Sequence, residues 1–305
     1  MEWSVQAFLE NKNGGSQSPI SRRGKAPGVR GSVPEPHPHT CSARDLSGTM
    51  DAPAEPQEIS WPGRDEVVAL VQEAASEHKL PVSEMRVARA PYRVCPIGAH
   101  IDHQGGVVTA MALGFGVLLA YAPSGTTDLQ VTSTEFSGTA AFDVCRIPAK
   151  EEAQTDEEGS WGNYLRGAAF ALKQKGHTLF RGIVGRLSSP PGMQEAGISS
   201  SAAVGVVCLL ALESANGIAV THQENVELDR IIENDYLGLR NGVLDQSAIL
   251  LSRSRRLTVI DCAKGTHHHA TMPLLEGEEQ PPGSATGRPP FRVLLLFSGI
   301  TSPLP

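Results

Sequence analysis

Residues 93–106, which read Arg-Val-Cys-Pro-Ile-Gly-Ala-His-Ile-Asp-His-Gln-Gly-Gly, constrain this chain more than any other stretch. Arg93, His100 and Asp102 bring a cation, an imidazole and a carboxylate together among glycines, which let a backbone turn tightly and come close to a ligand. A second glycine-framed motif, Gly197-Ile-Ser-Ser-Ser-Ala-Ala203, follows roughly a hundred residues later. Two polar motifs inside apolar flanks have the composition of a site for a sugar and for phosphate, not that of a core.

Charge and hydropathy narrow the partners. With a net charge of -7 the chain lacks the basic excess that marks nucleic-acid binding, so a small molecule is the favoured partner. No run reaches the ~18 apolar residues of a membrane span, and the N-terminus has no compact apolar segment after a basic start. The cytoplasm is the expected compartment. Cys41, Cys95, Cys145, Cys208 and Cys262 form no close pairs, which favours reduced thiols over a disulfide framework. Residues 1–49 are rich in Gly, Ser, Pro and Arg without apolar periodicity, so a disordered extension is expected, with Met50 as the start of the folded protein. Arg22, Arg23, Lys25 and Arg30 among serines also suit a transit peptide, whereas Glu2, Glu10 and Glu35 are unusual for one.

Helical spacing of Val67, Val68, Leu70, Val71 and Ala74 predicts an amphipathic helix over 65–78. Strands are expected at 85–88, 116–121, 129–132 and 140–144, then an acidic loop at 151–159, a helix over 161–175 and a strand over 182–187. A helix should open at Ser199–Ser201 and end near Asn216. Thr221 and Glu224 form a Thr-x-x-Glu capping box for another, reaching Tyr236. A short helix over 245–251 and strands over 257–261 and 292–297 follow, while His267-His-His269 reads as part of a loop. Helices and strands mix without a regular βα repeat, which gives an α+β fold class.

Several residues carry chemistry. The small residues after Gly197 lead into a helix of good propensity, and exposed amides at a helix start attract phosphate. The hydroxyls of Ser199, Ser200 and Ser201 can bind oxygen or a metal, although an ordinary N-cap in a polar loop would look the same. Neither a Gly-x-x-x-x-Gly-Lys-Ser/Thr loop nor a complete dinucleotide fingerprint is present. Asp245, in Arg240-Asn-Gly-Val-Leu-Asp-Gln-Ser247, opens an apolar helix as a cap or as a site carboxylate. Glu233 lies near a helix end, where a carboxylate opposes the helix dipole and a metal would compensate. His100, His103 and the triple histidine offer a competing zinc set, looser in spacing than zinc hydrolases use.

Taken together the motifs resemble those of the GHMP small-molecule kinases, and among them the galactokinase-type sugar-1-kinases. That group carries Gly-Arg-Val-Asn-Leu-Ile-Gly-Glu-His-Thr-Asp-Tyr-Asn-Gly-Gly; the segment from Tyr92 to Gly106 has identical spacing. Trp161-Gly-Asn-Tyr-Leu-Arg-Gly167 is similar to the family's adenine-side Trp-x-Asn-Tyr-x-x-Gly, and Asp245-Gln246 to its catalytic Asp-Gln. The resemblance spans about residues 83 to 300 and implies an N-terminal domain of the ribosomal protein S5 domain 2-like type, over 50–290. It further implies phosphorylation of a sugar's anomeric hydroxyl with ATP and Mg2+. Asp245 and Arg93 would then be catalytic, and Arg93, Ala99, His100, Asp102 and Asp245 would line the sugar site. Trp161, Asn163, Gly197, Ser199, Ser200 and Ser201 would bind the nucleotide, and Ser201 and Glu233 the metal.

Three departures matter. Ala99 stands where galactokinases have a glutamate that reaches the hydroxyl on the sugar's sixth carbon. Its loss suits a uronic acid such as galacturonic acid, with galactose or arabinose as alternatives, and His103 and Gln104 could donate to such a carboxylate. The phosphate motif from Pro190 to Ser199 has a longer spacer than the family's Pro-x-Gly-x-Gly-Leu-Ser. The family continues well past the strand at 292–297, so 291–305 is expected to be the first strand of a C-terminal domain largely missing here, and the chain a truncated form whose own turnover is in question.

Overall fold

The computed structural model describes residues 2–4, 61–149, 161–193, 197–254 and 256–271. A single twisted sheet organises them. Its main strands are β1 (Glu2–Ser4), β2 (Arg86–Val94), β3 (Val107–Pro123), β4 (Asp128–Ser133), β5 (Thr139–Asp143) and β6 (Ile183–Ser188), in spatial order β1-β2-β3-β6-β4-β5. Neighbours are antiparallel except β4 and β6, which run parallel. Two further strands, β7 (Arg256–Asp261) and β8 (Thr266–Thr271), extend from the start of β3. The helices are α1 (Arg64–His78), α2 (Gly162–Gln174), α3 (Ser200–Asn216), α4 (His222–Ile231) and α5 (Leu244–Leu251). None among the described residues is long and apolar enough to cross a membrane.

The strand β3 is the spine. Its 17 residues pair with β7 through Val107–Ala110, with β2 through Met111–Tyr121 and with β6 through Leu118–Pro123. Side chains alternate across a strand, so Leu118, Ala120 and Ala122 face one side while Val117, Leu119 and Tyr121 face the other. The first side receives Val67, Leu70, Val71, Ala74 and Ala75 of α1. The second receives α2, α3, α4 and α5, and there the larger core lies. Twelve of the 17 residues of α3 are buried, as expected for the central helix of such a layer.

Local chemistry fixes the helix ends. The Thr221 hydroxyl accepts from the Glu224 amide at 3.2 Å, and the Glu224 carboxylate accepts from the Thr221 amide at 2.6 Å, completing the box expected from sequence. Beyond Ile231 the helix widens into a π-turn, Ile232–Tyr236, rather than continuing regularly to Tyr236. Between α3 and α4 the backbone of Gly205 lies against the Asp229 carboxylate, and a methyl group there would collide with Asp229 Oδ1.

Strands at 85–88 and 116–121 prove to be parts of longer ones. At Gly116 the two strands approach so closely that a Cβ would strike the Ala90 carbonyl. The triple histidine lies on strand β8, not in a loop; cross-strand pairing to 256–261 fixes it, and its slight burial left no hydrophobic alternation to read. Glu2–Ser4 also depart from the expected extension, pairing with Arg86–Ala88. The rest of residues 5–60, the acidic loop at 151–159 and the strand at 292–297 lie outside the described residues.

Gly205→Ala should lower unfolding stability by about 1–3 kcal/mol through overpacking against Asp229. Urea unfolding checks this, and the cost should shrink in an Asp229→Ala background; an equal cost in both backgrounds would contradict the contact.

Candidate functional site

The loop between β2 and β3 is tied down before it reaches its polar residues. The Ile97 amide donates to the Thr109 hydroxyl at 2.9 Å, and the Thr109 amide donates to the Ile97 carbonyl at 2.9 Å. Gly98 follows with φ +94°, where a Cβ would sit 3.0 Å from the Val107 carbonyl oxygen, so only glycine fits. Ala99 and His100 are exposed at the loop's outer bend, His100 in a left-handed conformation with φ 69°. The chain then turns inward through a short 3₁₀ turn at Asp102–Gln104.

Asp102 locks this loop to the segment leading into α5. Its Oδ2 accepts from the Leu244 amide at 3.1 Å, and the backbone of Gly242 approaches so closely that any Cβ would overlap that carboxylate. His103 Nδ1 lies 3.8 Å from Asp102 Oδ1. One residue beyond Leu244, Asp245 meets Arg93, which reaches in from the end of β2. Arg93 Nε and Nη2 both contact Asp245 Oδ1, at 2.8 and 2.6 Å, and Nη1 donates to the Gly197 carbonyl at 3.0 Å. The Arg93 amide also donates to the Ile198 carbonyl at 3.1 Å. One arginine thus holds the carboxylate and the serine motif together.

The serine motif opens α3, with Gly197 exposed and Ile198 and Ser199 buried. Ser199 is strained, with φ 62° and ψ 47°, and its buried hydroxyl has no partner among the described residues. A non-glycine residue held in this region costs of order 1–3 kcal/mol and is typical of ligand clamps. Ser201, in the first turn, donates to Glu233 Oε1 at 3.3 Å. Glu233 is fully buried and its Oε2 lacks a partner among the described residues. Burial pushes its carboxyl up to about 7; the Asp245 charge adds to the rise, while hydrogen bonding from Asn241 and Ser201 and the Arg93 charge restrain it. One helical turn earlier Asp229 is also fully buried with both oxygens unpartnered among the described residues, and burial followed by the charges of Glu233 and Asp245 raises its carboxyl well above the ordinary range. The Tyr164 hydroxyl, near Ser201, is raised by burial and by the Glu233 charge.

The structure therefore brings together Arg93, Asp102, Asp245, Gly197, Ser201 and Glu233. Trp161 and Asn163 are buried at the start of α2: the Trp161 ring stacks on Phe136 and donates to the Ser137 carbonyl at 3.2 Å, and Asn163 Oδ1 accepts from Arg166 at 3.1 Å. Asn163 Nδ2 stays without a partner among the described residues. The zinc alternative fails on geometry. His269 contacts the Leu251 carbonyl, and no group of three or more His, Cys, Asp or Glu side chains among the described residues is placed to hold a metal ion. The Ser201–Glu233 pair offers instead a hydroxyl and an orphaned carboxylate oxygen, a sparse oxygen set of the kind that suits magnesium, which keeps several of its waters.

Residues 77–123 match the family model of the galactokinase galactose-binding signature, and residues 163–253 that of the GHMP kinases N terminal domain. Over these two segments the chain is similar to the GHMP kinases. Galacturonokinase of Arabidopsis thaliana is 45% identical over 256 residues, covering 81% of this chain and 58% of that protein. Galactokinase of Limosilactobacillus fermentum is 30% identical over 194 residues, covering 62% of this chain and 47% of the other. The structure of Lactococcus lactis galactokinase complexed with galactose superposes with a TM-score of 0.62 at 24% identity, over 72% of this chain and 57% of that one. The chain thus spans about half the length of the curated relatives it matches.

Sequence reasoning missed Asp229, Asn241 and Tyr164. For Asp229 a signal existed: a charge one turn before Glu233, on the face that carries Val226 and Ile232 into the core. Because the folded-state carboxyl of Glu233 titrates near 7 against an ordinary 4.5, its contribution to stability is full below about pH 4.5 and is lost as pH rises through about 7. In metal-free buffer the Tm advantage of Glu233→Gln over the parent chain should therefore grow from pH 5 to pH 8, and a pH-independent difference would contradict the burial argument.

Proposed function

We propose that this chain carries the sugar- and ATP-binding core of a sugar-1-kinase, whose substrate is galacturonic acid and whose product is its 1-phosphate. The observation that carries this reading is Arg93, which grips Asp245 and the Gly197 carbonyl at once and so holds the acceptor side against the phosphate side. In the reaction the anomeric oxygen attacks the γ-phosphorus of ATP, the bond to the β-γ bridging oxygen breaks, and ADP leaves. Asp245 takes the proton of the anomeric hydroxyl. Arg93 holds that carboxylate in place through Nε and Nη2, and phosphoryl transfer depends more on such positioning and on charge neutralisation than on a strong base. The backbone amides at the start of α3 cradle the phosphates, with Gly197, Ser199 and Ser200 shaping the loop. Magnesium held by Ser201 and Glu233 would neutralise charge on the transferred phosphoryl group. Trp161 and Asn163 form the wall behind the adenine.

The substrate assignment rests on the acceptor loop and on the 45% identity to a galacturonokinase. A glutamate at Ala99 would face the uronate carboxylate; two like charges about 4 Å apart at an effective dielectric near 20 repel by about 4 kcal/mol, close to a thousandfold in affinity. His100 and Asp102 serve the ring hydroxyls. His103 and Gln104, whose side-chain nitrogens lie 3.3 Å apart, offer donors to the carboxylate.

ADP release should be measured with galacturonic acid, galactose and arabinose in parallel. Turnover is expected on galacturonic acid, and Asp245→Asn should lower kcat by about 10²–10⁴. Ala99→Glu should lower kcat/KM for galacturonic acid by about a thousandfold relative to galactose. An unchanged ratio of the two sugars in that variant would overturn the substrate assignment, whereas turnover of no sugar by the parent chain would overturn catalysis by this span alone.

A further inference from the structure

The chain between Glu233 and Asp245 joins the two halves of the site, and its closure is unusual. The π-turn at Ile232–Tyr236 ends in bonds from the Leu237 amide to the Ile232 carbonyl at 2.9 Å and from the Leu239 amide to the Glu233 carbonyl at 2.8 Å. Between those two bonded amides lies Gly238, at φ +74°. The chain beyond it is caught by one side chain. Asn234 Nδ2 donates to the Asn241 carbonyl at 3.0 Å, and Asn234 Oδ1 accepts from the Asn241 amide at 3.0 Å. Both backbone polar groups of Asn241 are thus satisfied by a single amide, in the manner of a bridge between strands. Immediately after this closure Gly242 and Leu244 grip Asp102, and Asp245 grips Arg93.

We propose that the Asn234–Asn241 amide closure is a positioning element, setting the place of Glu233 relative to Asp245 so that the free Glu233 Oε2 faces the metal while Asp245 faces the sugar. The inference rests on the assignment of Glu233 as a metal ligand made above. Two features argue for positioning over stability. The closure is solvent-exposed, where hydrogen bonds contribute little to global unfolding, and it spans the one glycine-containing stretch between two fully engaged anchors. The residue just before Asn234 is Glu233, whose Oε1 already accepts from Ser201. The second oxygen is buried and has no partner among the described residues.

Outer partners of metal ligands typically govern metal affinity by 10–100-fold. The test is Mn2+ binding to the full chain in the presence of adenylyl imidodiphosphate, followed by the electron paramagnetic resonance signal of free Mn2+. Glu233→Gln, Asn234→Ala and Asn241→Ala are compared with the parent chain, each checked for a cooperative melt. Asn234→Asp, which keeps the acceptor and loses the donor, replaces Asn234→Ala if the latter does not melt cooperatively. The inference requires weakening of Mn2+ binding by at least tenfold in the Asn234 variant, with the Tm lowered only slightly and little change in Asn241→Ala, which keeps the backbone groups that the closure uses. Mn2+ affinity within twofold of the parent in the Asn234 variant, alongside strong weakening in Glu233→Gln, overturns the inference and leaves the metal assignment intact. Unchanged affinity in Glu233→Gln overturns the metal assignment and the inference with it.

Discussion

The ion pair between Arg93 and Asp245 is the constraint on which the site depends. It joins the last residues of β2 to the first turn of α5, elements separated by 152 positions in the chain, and the same guanidinium reaches the carbonyl of Gly197 ahead of α3. Both partners are mostly shielded, with side-chain exposures of 14% and 26%, so the pair is less screened than a surface salt bridge. Charge-assisted bonds of this kind are short and directional, which makes them better at fixing geometry than at adding stability. The sheet supplies the platform; the arginine decides how three loops meet above it.

Around that pair the protein tolerates groups that a purely structural core would exclude. Asp229 and Glu233 are fully buried, each with unpartnered oxygens among the described residues, and Ser199 is both strained and unsatisfied. An unsatisfied buried polar group costs of order 1–3 kcal/mol, so several of them in one place signify a site prepared for something polar. Their clustering at the start of α3 and the end of α4 matches where phosphates and a cation would sit in the proposed reaction. Gly205, which lets Asp229 approach the helix backbone, belongs to the same arrangement.

Much of this was legible in the sequence, and the gaps have physical causes. The helix over 64–78 followed from apolar spacing and that over 200–216 from the serines that open it, and the capping box at Thr221 fixed the start of α4. The site motifs were legible because glycine and charge stand out against apolar flanks. Strand lengths were not, since Gly116 looks like a break until β2 needs the space it leaves. Nor was β8 legible, because His267, His268 and His269 carry no hydrophobic alternation and owe their conformation to pairing with β7. The π-turn and the Asn234–Asn241 closure depend on tertiary partners, which no periodicity encodes.

The central claim is that Arg93 and Asp245 act as one unit. A double-mutant cycle with Arg93→Gln and Asp245→Asn, read by urea unfolding, tests it most directly. Residues in contact show coupling energies of about 0.5–3 kcal/mol, and a value in that range is the result expected here. Additive losses, with a coupling indistinguishable from zero, would mean that the two side chains do not depend on each other and that the loops are held in place by something else.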